Sequence, residues 1–178
     1  MSIQNKSKKK IYIIDALIIL FCTAIDYLTK LFAYKRLKDH PAISLIPGKL
    51  EIRYLANTGA AFGLLKNQKA FFILITSIVI LTCLYLIIRL PAKKRFNLSH
   101  GCLSLMLAGA LGNLIDRVIY GHVIDFIYFS LVKFPIFNFA DIYVTIGTLI
   151  FVILLLFIYK EDDLNFLKFM EKRIRDIE

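Results

Sequence analysis

A chain of 178 residues that is 58% hydrophobic, with a mean hydropathy of +0.69, is too apolar for a soluble globule and falls in the membrane class. Its net charge of +10 does not point to nucleic acid, because the lysines and arginines gather beside apolar runs rather than among exposed aromatics. The three cysteines, Cys22, Cys83 and Cys102, lie in or beside apolar runs without paired spacing, which excludes a disulfide framework and a metal-ligand pattern.

The chain opens with Lys6, Lys8, Lys9 and Lys10, followed by an apolar run from Ile11 to Ile25. This has the order of a signal peptide, but no small-residue cleavage site follows, and bulky Phe21 precedes Cys22 where a lipoprotein acceptor site wants a small residue. Ile11–Tyr34 therefore reads as a retained first membrane span. Asp15 and Asp26, eleven residues apart, share a helix face. Asp26 lies ~22 Å along the helix from Ile11, near the far interface. Lys30, one turn beyond Asp26, suits a helical ion pair. Asp26 is then either half of that pair or a polar support for a site at the interface.

Residues 35–69 cannot span, being broken by Pro41, Pro47 and Gly48. LEIRYL (50–55) alternates, with Leu50, Ile52 and Tyr54 on one face and Glu51 and Arg53 on the other, the period of a half-buried strand. In NTGAAFG (57–63), Asn57 and Gly59 supply turn chemistry and the alanine pair permits close backbone approach. A small extramembrane β-cradle is expected here. Ala70–Leu90 is an uninterrupted apolar run of 21 residues, long enough to cross and without chemistry of its own. Arg89, Lys93, Lys94 and Arg95 make the next loop basic.

A third span, Leu103–Ile119, carries small residues at Ala108, Gly109, Ala110 and Gly112, the signature of tight helix contact. Gly109, Asn113, Asp116 and Arg117 share one stripe. Residues 120–141 read as an interfacial loop, strongly apolar over FIYFSLVKFPIF (126–137) yet holding His122, Asp125 and Lys133. Ile142–Tyr159 supplies a last span, and the charged segment 160–178 reads as a surface helix.

The expected fold is an all-α membrane protein: one domain over 1–178, a four-transmembrane-helix bundle with a small extracytoplasmic β-cradle and an interfacial loop. The density of basic residues at the ends places both termini, and the tail 160–178, in the cytoplasm. Segments 35–69 and 120–141 then lie outside, and Asp26, Asp116, Asp125 and Asp141 gather at the outer interface. Ionisable groups near membrane depth are costly and mark a functional site by default.

Carboxylates are the chemically competent groups of this chain. Two neighbouring carboxyls in a low dielectric tend to share one proton, so one can take a proton from water while the other polarises a carbonyl. Position alone favours another role for Asp141, since Asn138-x-x-Asp141 ahead of an apolar run has the spacing of a helix cap. Asp125 could equally pair with Lys133 or Arg117, and Asp116 with its neighbour Arg117. His122 reads as an interfacial polar residue without a catalytic role.

IDYLTK (25–30), NTGAAFG (57–63), GALGNLIDRVIYGHVIDF (109–126) and FNFAD (137–141), in that order among four spans, resemble the bacterial lipoprotein signal peptidase (signal peptidase II) family. Ile142 departs from it, standing where that family commonly has serine. The resemblance implies an aspartic endopeptidase of the bacterial inner membrane with Asp125 and Asp141 as catalytic dyad. Asn57, Asn113, Arg117 and Asn138 would support or line the substrate site beside Gly109, with Asp26 and Asp116 as supporting acids. It implies a prolipoprotein substrate whose cysteine carries diacylglycerol, cleaved just before that cysteine, with no metal or organic cofactor and no nucleic-acid partner. Membrane lipids are the expected surroundings and a monomer the expected state. A proton-coupled transporter using Asp26, Asp116 and Asp125 as a relay is the competing reading, and a structural membrane subunit the third.

Overall fold

A computed structural model describes residues 3–59 and 68–166. Ala60 to Gly63 of the NTGAAFG motif, and the tail beyond Phe166, lie outside the described residues. Four helices are long and apolar enough to cross a membrane. Helix α1 (Ile3–Leu37) contains no proline or glycine and runs unbroken to a turn in which Asp39 has φ +62°. Helix α2 spans Lys69–Arg89. Helix α3 (Asn97–Ile119) follows a 3-10 turn over Lys94–Phe96, so it reaches back past Leu103 to take in His100. Helix α4 (Phe139–Ile153) ends in a π turn over Leu154–Ile158.

Helix α3 lies at the centre, packed against α1, α2 and α4. Its small residues make this possible. A Cβ at Gly109 would collide with the Ala140 carbonyl oxygen and Val144, and one at Gly112 with the Asp26 carboxylate. The outward faces invert the soluble pattern, leaving Leu17, Leu20, Phe21, Leu28, Leu74, Leu81, Leu149 and Phe157 exposed, as a lipid-facing surface should.

The cradle is a three-stranded antiparallel sheet in the order β1 (Ile43–Ile46), β2 (Leu50–Asn57), β3 (Val123–Phe129). The strand expected at LEIRYL is present. The loop expected over 120–141 is not wholly a loop, because its first half is β3. Val123, Ile124, Asp125 and Phe126 are buried in succession, so the strand lacks the alternation that would have announced it. The sheet rests on the end of α1, where Ile124 and Phe126 pack with Ala33 and Leu37. Past Phe166 nothing is described of the tail. Its first turn, Glu161–Phe166, is 3-10.

Candidate active site

Three local devices bring Asp125 and Asp141 to one place. Gly121 ends α3 with φ +79°, a conformation that favours glycine, and its N–H donates to the Arg117 carbonyl at 3.2 Å. The chain thus turns straight into β3, which carries Asp125. Phe137 then folds back antiparallel on β3, exchanging backbone hydrogen bonds with Ile127 at 2.9 and 3.0 Å. That contact starts FNFAD beside Asp125. Asn138 finally caps α4: its side-chain oxygen accepts from the Asp141 N–H at 2.9 Å, and Asp141 Oδ2 accepts from the Asn138 N–H at 3.2 Å.

The cap and the carboxylate site are compatible. Capping occupies Oδ2 of Asp141, while Oδ1 accepts from Asn113 Nδ2 at 2.8 Å. Asp125 is 1% exposed. It accepts from Asn57 Nδ2 at 2.8 Å and from Asn138 Nδ2 at 2.6 Å. Burial, then the charge of Asp141, push the Asp125 carboxyl up to about 7, against the pull of Asn57, Asn138 and Lys30.

Each of the three asparagines is oriented by a donor at its amide oxygen. Lys30 Nζ donates to Asn113 Oδ1 at 2.9 Å, the Gly59 N–H to Asn57 Oδ1 at 3.0 Å, and the Asp141 N–H to Asn138 Oδ1. An amide whose oxygen is taken must turn its nitrogen the other way. All three nitrogens therefore face carboxylates.

Lys30 is the hub of the layer beneath. Its buried ammonium meets Asp26 at 2.8 Å and Asp116 at 3.0 Å. Asp26 Oδ1 also accepts from the Ala140 N–H at 2.8 Å, and Asp116 Oδ2 from the Ile124 N–H at 3.0 Å. Asp26 thus forms the ion pair with Lys30 and also holds the first turn of α4. Asp116 pairs with Lys30 and not with Arg117. Arg117 donates to the Asn113 carbonyl at 3.3 Å and lies over the Phe72 ring at 4.9 Å. Asp125 has the asparagines as partners in place of Lys133 or Arg117. His122 Nε2 is 3.1 Å from Tyr54 Oη.

A cavity of about 310 Å³ opens over the pair, lined by Asn57, Asp125, Asp141, Arg117 and the Phe134–Phe137 segment. A second of about 230 Å³ shares Asn113, Arg117, Asp141 and Thr145 with it and descends along apolar Ile75, Val79, Ala110 and Val144. Among the described residues no three His, Cys, Asp or Glu side chains gather as a metal-ligand set.

Sequence reasoning missed the reach of Lys30 to Asp116 and Asn113, since only its spacing from Asp26 was visible. It also left Asp15 unpartnered. That acid is buried against His100 at the other end of the bundle, with Nδ1 2.8 Å from Oδ2, and the i, i+4 spacing of His100 and Ser104 was the available signal.

Four apolar helices, with the buried Asp125 and the half-buried Asp141 at the mouth of an apolar groove, define a multi-pass membrane protein with a carboxylate-lined cavity. The model of the signal peptidase (SPase) II family matches residues 18–157. The chain belongs to that family, and it is a membrane protease. A lipoprotein signal peptidase of Clostridium tetani is 43% identical over 152 residues, 83% of this chain and 94% of that relative. One of Brevibacillus brevis is 43% identical over 137 residues, 76% of this chain and 87% of that relative. A bacterial membrane enzyme solved by the in meso method at 1.9 Å superposes with TM-score 0.70 at 36% identity, covering 82% of this chain and 94% of that one.

Proposed function

We propose that this chain is an aspartic endopeptidase that removes the signal peptide from diacylglyceryl-modified prolipoproteins, cleaving just before the lipidated cysteine. The observation that carries it is the pair of carboxyls, Asp125 and Asp141, held by three donor-oriented asparagines at the junction of two cavities. Near neutral pH such a pair holds about one proton. The ionised carboxylate takes a proton from water as its oxygen attacks the scissile carbonyl. The protonated partner donates to the carbonyl oxygen, and the proton gained from water leaves with the amine as the C–N bond breaks.

The groove between α2, α3 and α4 suits a substrate that stays in the bilayer, since its apolar wall runs from Asp141 along Ile75, Val79 and Val144. The Phe134–Phe137 segment covers the site from above. Asn57, Asn113 and Asn138 position the dyad, Arg117 lines the substrate cavity, and Asp26 and Asp116 hold Lys30. The basic end of the bundle, with Lys8–Lys10 and Lys93–Lys94, faces the cytoplasm of a bacterial inner membrane, so the dyad works at the extracytoplasmic interface. One copy encloses the site, which suits a monomer. A proton relay through Asp26 and Asp116 is less well served, because both are tied to Lys30.

The test is cleavage of a diacylglyceryl-modified precursor by purified protein, with unlipidated precursor as control. Asp125→Asn and Asp141→Asn are each expected to abolish cleavage with expression unchanged. Robust cleavage by either variant removes the dyad assignment.

A further inference from the structure

The end of the bundle opposite the dyad holds a second buried polar cluster that the peptidase chemistry does not use. Asp15 on α1 accepts from Ser104 Oγ at 3.1 Å and faces His100 Nδ1 at 2.8 Å, both on α3. All three side chains are buried. The other ring nitrogen, His100 Nε2, is buried without a hydrogen-bond partner among the described residues. A buried polar atom left without a partner is costly, so it asks for a ligand. A cavity of about 100 Å³ adjoins it, lined by Asp15, His100, Asn97, Gly101 and the isoleucines Ile11, Ile14 and Ile18.

The surroundings select the ligand. Ile14 is half-exposed on the lipid-facing surface, so the mouth opens to the bilayer. Lys8, Ile11, Asp15 and Ile18 form one stripe of α1, with Lys8 ~10 Å beyond Asp15 toward the basic end. Ser7 Oγ donates to the Ala92 carbonyl at 3.2 Å, which brings exposed Lys8–Lys10 beside exposed Lys93 and Lys94. The acids at this end, Glu161, Asp162 and Asp163, belong to the segment after α4, where Asp163 is taken up by Arg95 at 2.6 Å.

The geometry points to a binding site for an anionic phospholipid of the adjoining leaflet, seated between α1 and α3. The phosphate lies between Lys8 and Lys94, a head-group hydroxyl donates to His100 Nε2, and an acyl chain follows the isoleucines inward. Basic pockets between membrane helices take anionic head groups in this way. Asp15 holds the imidazole by Nδ1 and so directs Nε2 to the lipid. This site is separate from the dyad, since Asp15 lies ~16 Å along α1 from Asp26, which supports the layer beneath Asp125 and Asp141.

The test titrates purified protein in neutral detergent with phosphatidylglycerol or with phosphatidylcholine of the same chains, counting bound lipid by native mass spectrometry. Wild type is expected to retain one phosphatidylglycerol at least about tenfold more tightly than phosphatidylcholine. Ile14→Trp fills the mouth without touching the buried pair, and His100→Asn keeps a donor to Asp15 while deleting Nε2. Both are expected to lose the preference and to cleave precursor at the wild-type rate in phosphatidylcholine. Equal retention of the two lipids by wild type, or an undiminished preference in either variant, overturns the proposal. So does a photo-crosslinker at Asn97 that captures a second polypeptide in native membranes in place of lipid.

Discussion

Lys30 Nζ donates to Asn113 Oδ1 at 2.9 Å, and this contact decides which end of the Asn113 amide faces Asp141. A lysine offers only donors, so the amide nitrogen must point away from it, to the carboxylate. A residue of the first helix thereby orients one on the third to serve the fourth. Lys30 also pairs with both Asp26 and Asp116, which have almost no access to solvent.

Lys30→Met is therefore expected to cost about 3–5 kcal/mol, the range for removing one partner of a buried pair. It should also cut cleavage by freeing Asn113 to flip. Adding Asp26→Asn should recover part of the stability, because one of the two stranded carboxyls is gone and only Asp116 remains unpaired, but none of the activity. Thermal unfolding in detergent with a double-mutant cycle measures this. Additive losses of stability would show that the three groups do not act as a unit.

Asn138 has two separable duties. Its oxygen caps α4 through the Asp141 N–H, and its nitrogen donates to Asp125 at 2.6 Å. Asn138→Ser keeps a good cap but has no amide to reach Asp125. It should unfold close to wild type and cleave at least about tenfold more slowly, while Asn138→Ala adds the loss of a cap, about 1 kcal/mol. A serine variant with full activity would show that Asp125 needs only Asn57.

How far this was legible in the sequence depends on what each residue does locally. Four apolar runs and the alternation of LEIRYL give the spans and a strand, since those signals are periodic. The capping box at Asn138 and Asp141 is legible for the same reason, being a three-residue spacing. Strand β3 was hidden because burial of four successive residues erases alternation. The partners of Asp116 and Asp125 were hidden too, because their sequence neighbours Arg117 and Lys133 look nearer than Lys30, Asn57 and Asn138. Only the packing of α1 on α3, and of β2 on β3, supplies them.

The raised Asp125 carboxyl has a consequence for stability. Its ordinary value is 3.8, and burial with the Asp141 charge pushes it up to about 7. Between pH ~4 and ~7 the folded chain holds a proton here that the unfolded chain has released, so stability falls as pH rises through that window. The difference corresponds to ~4 kcal/mol. Melting temperature against pH in detergent should show this decline in wild type and a much flatter line in Asp125→Asn. Cleavage by wild type should fall above pH ~7, as the proposed dyad loses the proton held by Asp125. A melting temperature that climbs from pH 4 to 7 in wild type, with the same slope in Asp125→Asn, would contradict the burial of this group.

Gly109 and Gly112 test whether helix contact or chemistry limits the site. A Cβ at Gly109 meets backbone, the Ala140 carbonyl oxygen, which cannot rotate aside. Gly109→Ala must therefore push α4 from α3, carrying Asp141 away from Asn113. Overpacking of this kind costs about 1–3 kcal/mol. At Gly112 the obstacle is the Asp26 side chain, which is held by both Lys30 and the Ala140 N–H. Gly112→Ala must break one of those contacts, and loss of the hydrogen bond would leave Ala140 N–H unmet in the first turn of α4. Both variants should lower the melting temperature. Gly109→Ala should lose more activity than Gly112→Ala at matched folded fraction, because it moves a carboxyl of the proposed dyad rather than its support. Cleavage assays normalised to folded protein decide it, and the reverse order would place the critical contact at Asp26 instead.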